Sequence, residues 1–224
     1  MLERIICLAI GYVFGLFQTA YFYGKANGID IREQGSGNAG TTNALRVLGK
    51  KAGAIVFLCD CLKCVFAVVI TRLIFGKTHP EMIYLLCLYA AAGAVLGHNF
   101  PFYMGFRGGK GMAVTAGLVM SFHPYFIPMG FIVFLGTFFT THYVSLGSLL
   151  SYVGFVVEMI ICGQLGVFGA SQPVLYEMYA VSVALAAMAF WRHRENIKRL
   201  IRGEERKTYL TRKNKLDVEH KEEQ

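Results

Sequence analysis

The chain has 224 residues, of which 55% are hydrophobic and only 16% are charged, and its mean hydropathy is +0.47. Soluble domains usually carry about 25% charged residues, so this composition excludes an ordinary soluble domain. The formal net charge is +8, and many of the basic residues stand in a tail after residue 191. We therefore expect anionic membrane lipid as a partner and no nucleic acid, since no segment resembles a nucleic-acid-binding fold.

Apolar segments in chain order predict an all-α integral membrane protein with seven transmembrane helices. They lie at about 2–23, 52–75, 81–97, 112–122, 124–140, 145–162 and 173–191. The first is longer than a signal-peptide core and is expected to be retained. The fourth is too short for a hydrocarbon core of about 30 Å at 1.5 Å per residue. It is either a half-span broken at His123-Pro124, or one arm of a bent hairpin with the fifth segment.

The distribution of Lys and Arg predicts the orientation. Basic residues gather in the loops 24–51 and 98–111 and in the tail, while the alternate connections are nearly free of them. Under the positive-inside rule, the N-terminus is then extracytoplasmic and the C-terminus cytoplasmic. We predict a transmembrane domain over 1–191 with cytosolic active-site loops 24–51, 98–111 and 141–148, followed by a basic cytosolic tail over 192–224.

The first loop carries the run GSGNAGTTNALR, residues 35–46. Glycines let backbone N–H groups turn toward a ligand because they tolerate positive φ. The short Ser, Thr and Asn side chains add donors, and Arg46 adds a guanidinium fork that suits phosphate. This loop predicts a binding site for an anion.

The second loop, residues 97–111, reads GHNFPFYMGFRGGKG and opens the next helix. Glycines before a helix N-terminus expose unpaired N–H groups at the positive end of the helix dipole, and Lys110 adds a point charge. It is not a nucleotide P-loop, because no Ser or Thr follows Lys110 and Met104 stands where glycine is required. His98, between the two glycine turns, is the strongest imidazole candidate for a site.

Two further groups leave alternatives open. His193, Asn196 and Arg199 share one helix face, which suits either a site or an amphipathic interfacial helix. Asp60 and Lys63, about one turn apart in the second span, are either a structural ion pair or part of a site, since intramembrane charges are costly. No spacing resembles a zinc or calcium site, and neither a metal nor a cofactor is predicted.

Three blocks of sequence in order resemble the motifs of the bacterial acyl-phosphate-dependent glycerol-3-phosphate acyltransferases, small membrane enzymes with seven spans. The blocks are GSGNAGTTNALRVLGKKAG, GHNFPFYMGFRGGKGMA and RHRENIKRLIRGEE. The resemblance implies transfer of a fatty acyl group from acyl phosphate to the 1-hydroxyl of glycerol 3-phosphate, giving lysophosphatidic acid and phosphate in phospholipid biosynthesis. It also implies a multi-pass protein of the bacterial cytoplasmic membrane whose site faces the cytosol.

The resemblance assigns site residues by motif. Those implied as catalytic are Ser36, Arg46, Lys110, His193 and Asn196. Those implied as substrate-binding are Asn38, Gly40, Asn43, His98, Gly108, Gly109, Gly111, Ser145 and Ser148. Glu205, Asp60 and Lys63 are implied as structural. The chain departs from the family pattern at Cys64, where Gly is expected, and at Ala39 and Thr41, where Pro and Ala are more usual. The two changes in the first motif alter the stiffness of the loop rather than its donors.

An acyl phosphate already carries a good leaving group, so no covalent enzyme nucleophile is required. We expect residues 108–111 to hold glycerol 3-phosphate, and Ser36, Asn38 and Arg46 to hold the acyl phosphate. His193, His98 or a substrate phosphate could accept the proton, and the resemblance favours the phosphate.

Two other classes of protein would share parts of this pattern. A transporter or channel for organophosphate anions would also need basic glycine loops, but its site would lie at the midplane between repeats. No internal repeat is evident here, and the donors cluster at one face. A lipid-binding scaffold that uses the basic tail would not need the two glycine loops.

Overall fold

The computed structural model of the protein describes residues 1–209, and within them the chain forms ten α-helices joined by turns and loops. The helices are α1 (Leu2–Gly15), α2 (Thr19–Ala26), α3 (Thr41–Leu48), α4 (Lys50–Phe75), α5 (Ile83–Asn99), α6 (Met112–Phe122), α7 (Phe126–Thr141), α8 (Val144–Gln164), α9 (Gln172–Arg192) and α10 (Arg194–Arg202). The predicted all-helical class is confirmed. The end of the predicted tail, residues 210–224, lies outside the described residues.

Within residues 1–209, five helical stretches are long and apolar enough to cross a membrane. They are Leu2–Ala26, Lys50–Phe75, Pro80–Met104, Val144–Gln164 and Gln172–Arg192. The two remaining predicted segments correspond to α6 and α7, which have only 11 and 16 residues. Each predicted segment therefore falls on helix, while the count of seven spans and their orientation stay predictions.

The first predicted segment is not continuous, and Gln18 explains the break. Helix α1 ends at Gly15 and α2 begins at Thr19. The Gln18 side chain is only 1% exposed, and its Nε2 donates to the carbonyl oxygens of Gly15 and His98, both at 3.1 Å. The last carbonyls of a helix lack partners within it, and apolar surroundings offer none. A buried amide between the ends of α1 and α5 supplies them.

Helices α1 and α5 cross in close contact through glycines. Each carries two glycines four residues apart at the crossing: Gly11 and Gly15 in α1, Gly93 and Gly97 in α5. A Cβ added at Gly11 would clash with the Ala90 carbonyl oxygen, and one at Gly93 would clash with that of Leu8. Small residues at this spacing let two membrane helices approach at backbone distance. The crossing fixes the end of α5, which leads into the second glycine loop.

Helix α6 begins beside the middle of α4 rather than at its end. The Cys61 thiol of α4 donates to the Ala113 carbonyl at 3.0 Å, and Gly117 packs against the Cys61 backbone. At the other end, Arg72 of α4 donates to the Phe122 carbonyl at 2.5 Å and so supplies a partner to the last turn of α6. The 11 residues reach only about 16 Å. This agrees with the half-span alternative, and it leaves a recess at the N-terminus of α6.

The largest buried cluster joins α4, α5, α6, α8 and α9 around α5. Leu85, Leu88, Leu118 and Met159 in this cluster have no exposed surface. This packed core supports the floor of the recess and holds the helix ends that surround it.

Candidate active site

One cavity of about 900 Å³ lies where four helices begin. Gly40 caps α3, Gly111 caps α6, Val144 starts α8 and His193 caps α10, and all four residues line the cavity. Each of the predicted loops 24–51, 98–111 and 141–148 contributes lining residues. Separate motifs in the sequence therefore meet at one place in the structure.

The cavity is electropositive for two reasons. The first amides of each helix have no partner within that helix and lie at the positive end of its dipole. Eight basic side chains line the cavity against four acidic ones. The basic residues are Arg32, Arg46, Arg107, Lys110, Arg192, Arg194, Arg199 and Arg206, and the acidic ones are Glu33, Asp60, Glu195 and Glu205. Helix N-termini combined with Lys and Arg are the usual protein environment for a phosphate.

Most residues selected from the sequence line this cavity. They are Ser36, Asn38, Gly40, Asn43, Arg46, Asp60, His98, Gly108, Lys110, Gly111, Ser145, Ser148, His193, Asn196 and Glu205. Two others stand behind its wall: Gly109 packs against the His98 ring, and Lys63 bonds the same ring from the opposite side. The structure thus brings the three motifs together, although several members act on the protein rather than face a ligand.

Asn43 serves the first loop itself. Its Oδ1 accepts the Ser36 backbone N–H at 2.8 Å, and its Nδ2 donates to the carbonyls of Ile31 and Gln34 at 3.0 and 2.9 Å. Gly35 has φ +59°, and a side chain there would clash with the Asn43 amide. A buried asparagine therefore folds the loop around its own amide and places Ser36 at the cavity.

The second loop uses two of its glycine amides internally, contrary to the expectation that these amides are free for an anion. Gly108 donates to the Asn99 carbonyl and Gly109 to the His98 carbonyl, both at 3.1 Å. The Arg192 Nη2 then donates to the carbonyls of Gly108 and Gly109, at 2.9 and 2.6 Å. These bonds satisfy the last carbonyls of α5 and hold the loop closed. The two amides are occupied within the protein because the helix end beside them needs donors, and a substrate-binding role for Gly108 and Gly109 stays a prediction.

Lys110 is held by the third motif. Its Nζ donates to Asn196 Oδ1, and Asn196 Nδ2 donates to Glu205 Oε1 at 2.6 Å. Ser145 Oγ donates to the same carboxylate oxygen at 2.9 Å, and Arg199 Nε donates to Oε2 at 2.7 Å. Glu205 thus ties α8 to α10, and Asn196 in turn holds the Lys110 ammonium in place.

Two groups in this network have displaced pKa values. Burial, followed by the positive charge of Arg199, lowers the pKa of Lys110 from 10.5 to about 8. Burial by itself raises the pKa of Glu205, but the hydrogen bonds that it accepts outweigh this and hold the pKa below its usual value. Glu205 is therefore a carboxylate at neutral pH, and Lys110 is an ammonium that titrates close to the physiological range.

His193 and His98 have opposite hydrogen-bonding roles. His193 Nδ1 lies 2.8 Å from the Ala189 carbonyl, which can only accept, so Nδ1 carries the proton and Nε2 is an acceptor. Burial, followed by the charge of Lys110, lowers the pKa of His193 to about 4, so the ring is neutral at pH 7. His98 Nδ1 lies 2.7 Å from the Lys63 ammonium, which can only donate, so its Nε2 is the donor.

The predicted pairing of Asp60 and Lys63 is confirmed. Lys63 Nζ lies 2.9 Å from Asp60 Oδ1, and the two side chains are 4% and 1% exposed. Lys63 also donates to the Phe17 carbonyl at 2.9 Å, and Thr19 Oγ1 donates to Asp60 at 3.2 Å. The pair fixes the ring of His98, and of the two residues only Asp60 reaches the cavity.

Ser148 donates its hydroxyl to the Val144 carbonyl one turn back, at 2.8 Å.

The sequence assigns no site role to Arg192, Arg206 or Thr208. Arg192 belongs to a run of basic residues that indicates the membrane orientation of the chain. No local sequence pattern distinguishes Thr208.

Comparison with known proteins decides the family. The model of a family described as Glycerol-3-phosphate acyltransferase matches residues 5–203. The chain belongs to this family.

Relatives of this acyltransferase match it over most of their length. The glycerol-3-phosphate acyltransferase of Thermoanaerobacter sp. (strain X514) is 40% identical over 204 residues, 91% of this chain and 94% of the relative. The enzyme of the same name from Clostridioides difficile (strain 630) is 41% identical over 206 residues, again 91% of this chain and 94% of the relative. The family resemblance read from the three sequence blocks is therefore confirmed.

Solved structures share the fold of the acyltransferase. The crystal structure of PlsY (YgiH), an integral membrane glycerol 3-phosphate acyltransferase, in its glycerol 3-phosphate form superimposes with a TM-score of 0.79. It is 31% identical, with 92% of this chain and 96% of that chain covered. The lysophosphatidic acid form has a TM-score of 0.76 at 30% identity. The protein is thus a membrane acyltransferase with several apolar helices, and the family favours this over the transporter alternative.

Proposed function

We propose that the protein transfers a fatty acyl group from acyl phosphate to the 1-hydroxyl of glycerol 3-phosphate, releasing lysophosphatidic acid and inorganic phosphate. The observation that carries the proposal is the cavity at which four helix N-termini of the described residues converge, with twice as many basic as acidic side chains. A donor and an acceptor that each bear a phosphate need such a cavity. An acyl thioester carries no phosphate next to its reacting carbonyl, so it would leave one of the two phosphate positions of the cavity unused.

The reaction needs positioning and charge stabilisation more than a protein nucleophile. The C1 oxygen of glycerol 3-phosphate attacks the acyl carbonyl carbon, and the bond from that carbon to the phosphate oxygen then breaks. The hydroxyl proton leaves with the phosphate. Holding both substrates in line makes the step effectively intramolecular, and donors at the carbonyl oxygen stabilise the tetrahedral intermediate.

We assign the glycerol 3-phosphate phosphate to Lys110 and the amides at the start of α6. Asn196 holds Lys110, and the amides of Gly111 and the first turn of α6 complete the cradle. We assign the acyl phosphate to Ser36, Asn38 and Arg46 on the opposite wall, at the start of α3. The second loop still contacts a phosphate in this assignment, through Lys110 and Gly111. The amides of Gly108 and Gly109 are bonded to the end of α5 instead.

The two imidazoles are assigned by their free nitrogens. His193 Nε2 accepts the hydrogen bond of the attacking hydroxyl and orients it, but a ring with a pKa of about 4 is a poor final proton acceptor at neutral pH. A phosphate, whose second pKa is about 6, accepts the proton more readily. His98 Nε2 is a donor suited to the oxygen of the acyl carbonyl.

The acyl chain is proposed to leave the cavity toward the bilayer on its apolar side, where Phe57, Met112 and Phe134 line the wall. Phe57 is 44% exposed on the outer surface of α4, so this side is continuous with the lipid-facing surface. We further propose that α6 and α7 complete seven spans and that the protein lies in the bacterial cytoplasmic membrane. The cavity would then open to the cytosol, where glycerol 3-phosphate is available.

The proposal is tested with purified protein in lipid nanodiscs supplied with palmitoyl phosphate and glycerol 3-phosphate. Phosphate and lysophosphatidic acid should form in equal amounts, and both should require glycerol 3-phosphate. Palmitoyl-CoA in place of palmitoyl phosphate should give no product. Phosphate release that is independent of glycerol 3-phosphate, or equal use of palmitoyl-CoA, would overturn the proposed donor.

A further inference from the structure

The chain after α10 returns to the cavity as a short segment, residues 203–209, which we call the C-terminal strap. The family match ends at residue 203, where the strap begins. The Thr208 backbone N–H donates to the His142 carbonyl in the turn between α7 and α8, at 2.9 Å. Thr208 is only 1% exposed. Thr208 therefore anchors the strap at a buried position beside the cavity.

Thr208 in turn holds a side chain of the first motif. Arg46 Nη2 donates to Thr208 Oγ1 at 2.6 Å, and the same nitrogen lies 3.4 Å from the Arg206 carbonyl oxygen. A guanidinium has five N–H donors, so one edge bonded to the strap leaves others for a ligand. Arg46 itself lines the cavity. An arginine has a long, flexible stem, and a partner at one edge restricts its orientation.

The chemistry of the partner matters. A carboxylate in this place would hold Arg46 equally well but would neutralise the charge that a phosphate needs. A hydroxyl oxygen is a neutral acceptor, so it orients the guanidinium and leaves its charge available.

We propose that Thr208 is a positioning residue of the acyltransferase, which sets the Arg46 guanidinium for the phosphate of the acyl donor. The inference rests on the proposed function, in which Arg46 binds that phosphate.

The test compares Thr208→Val and Thr208→Ser, each with and without Arg46→Ala, in the coupled phosphate-release assay. Thr208→Val removes the acceptor and keeps the size, and we expect about a tenfold rise in KM for acyl phosphate with kcat within about threefold. Thr208→Ser restores the acceptor and should return KM to within about twofold of wild type. Thr140→Val makes the same chemical change at an exposed position of α7. It is the matched control and should leave both constants unchanged.

The double variant separates positioning from a general structural effect. In the Arg46→Ala background, Thr208→Val should add less than about a twofold effect, because the side chain that it positions is already gone. An equal KM rise in both backgrounds, or a Thr208→Val enzyme identical to wild type, would overturn the inference while leaving the proposed function intact.

Failure of the proposed function looks different. If Arg46→Ala leaves the KM for both substrates unchanged, then Arg46 binds no phosphate and both claims about it fall. If Thr208→Val does not give monodisperse protein, Thr208→Ala is used in the same cycle, since it keeps the backbone bond to His142 and removes the same acceptor.

Discussion

The pKa of Lys110 allows a specific prediction about the pH dependence of the reaction. With a pKa of about 8, roughly 90% of the Lys110 side chains carry a proton at pH 7 and about 10% at pH 9. If the ammonium binds the phosphate of glycerol 3-phosphate, kcat/KM should fall about tenfold over this range. The substrate phosphates do not contribute, because they are already dianions above pH 7. His193 does not contribute either, since its pKa is about 4.

Replacing the lysine separates its charge from its shape. Lys110→Arg keeps a cation that does not titrate, so the basic limb near pH 8 should disappear even if activity drops at pH 7. Lys110→Ala should lose about 10- to 100-fold in kcat/KM, because it removes a charged hydrogen bond to the substrate. Bound phosphate stabilises the ammonium, so the limb in kcat should lie at higher pH than the limb in kcat/KM.

The assay is the initial rate of phosphate release at limiting glycerol 3-phosphate, measured from pH 6.5 to 9.5 at constant ionic strength. Acyl phosphate hydrolysis without enzyme is subtracted at each pH. Lys110 is not the titrating group if wild-type kcat/KM stays level to pH 9.5, or if Lys110→Arg keeps the same limb near pH 8.

Three further predictions concern His193 and the packing of helix α1. His193 should stay neutral from pH 8 to pH 5.5 in histidine NMR, and a titration midpoint of its ring near pH 6.5 would contradict this. The folded protein should also lose stability as the pH falls from 6.5 toward 4, because the unfolded chain takes up a proton that the buried ring does not. Gly11→Leu should destabilise the protein by about 1–3 kcal/mol or more by forcing α1 from α5, and an unchanged Tm in detergent would refute the close crossing. Gln18→Leu should cost about 1–3 kcal/mol by removing the donor at the α1–α2 break, and a Tm equal to that of wild type would show that the carbonyls find other partners.

Hydropathy and composition predict the helical segments because burial in lipid demands long apolar runs. The bounds of the predicted segments differ from the helices by only a few residues, apart from the first. The break at Gln18 and the mid-length start of α6 were not predictable in the same way. Both depend on partners distant in sequence, the end of α5 and the middle of α4.

The candidate site shows the same division. The residue types in the three motifs indicate phosphate chemistry, and the structure brings most of them to one cavity. What each donor satisfies depends on the fold: the Asn43 amide braces its own loop, and the Gly108 amide caps α5. The close approach of α1 to another helix was predictable, since Gly11 and Gly15 have the spacing of a close helix crossing.

The proposed reaction requires one cavity to hold both phosphates at the same time. This is measured by equilibrium binding of labelled glycerol 3-phosphate to protein saturated with a non-hydrolysable acyl phosphonate. One equivalent of each ligand should bind at the same time, with the affinity for glycerol 3-phosphate changed by less than about tenfold. Stoichiometric displacement of glycerol 3-phosphate by the acyl phosphonate would contradict it.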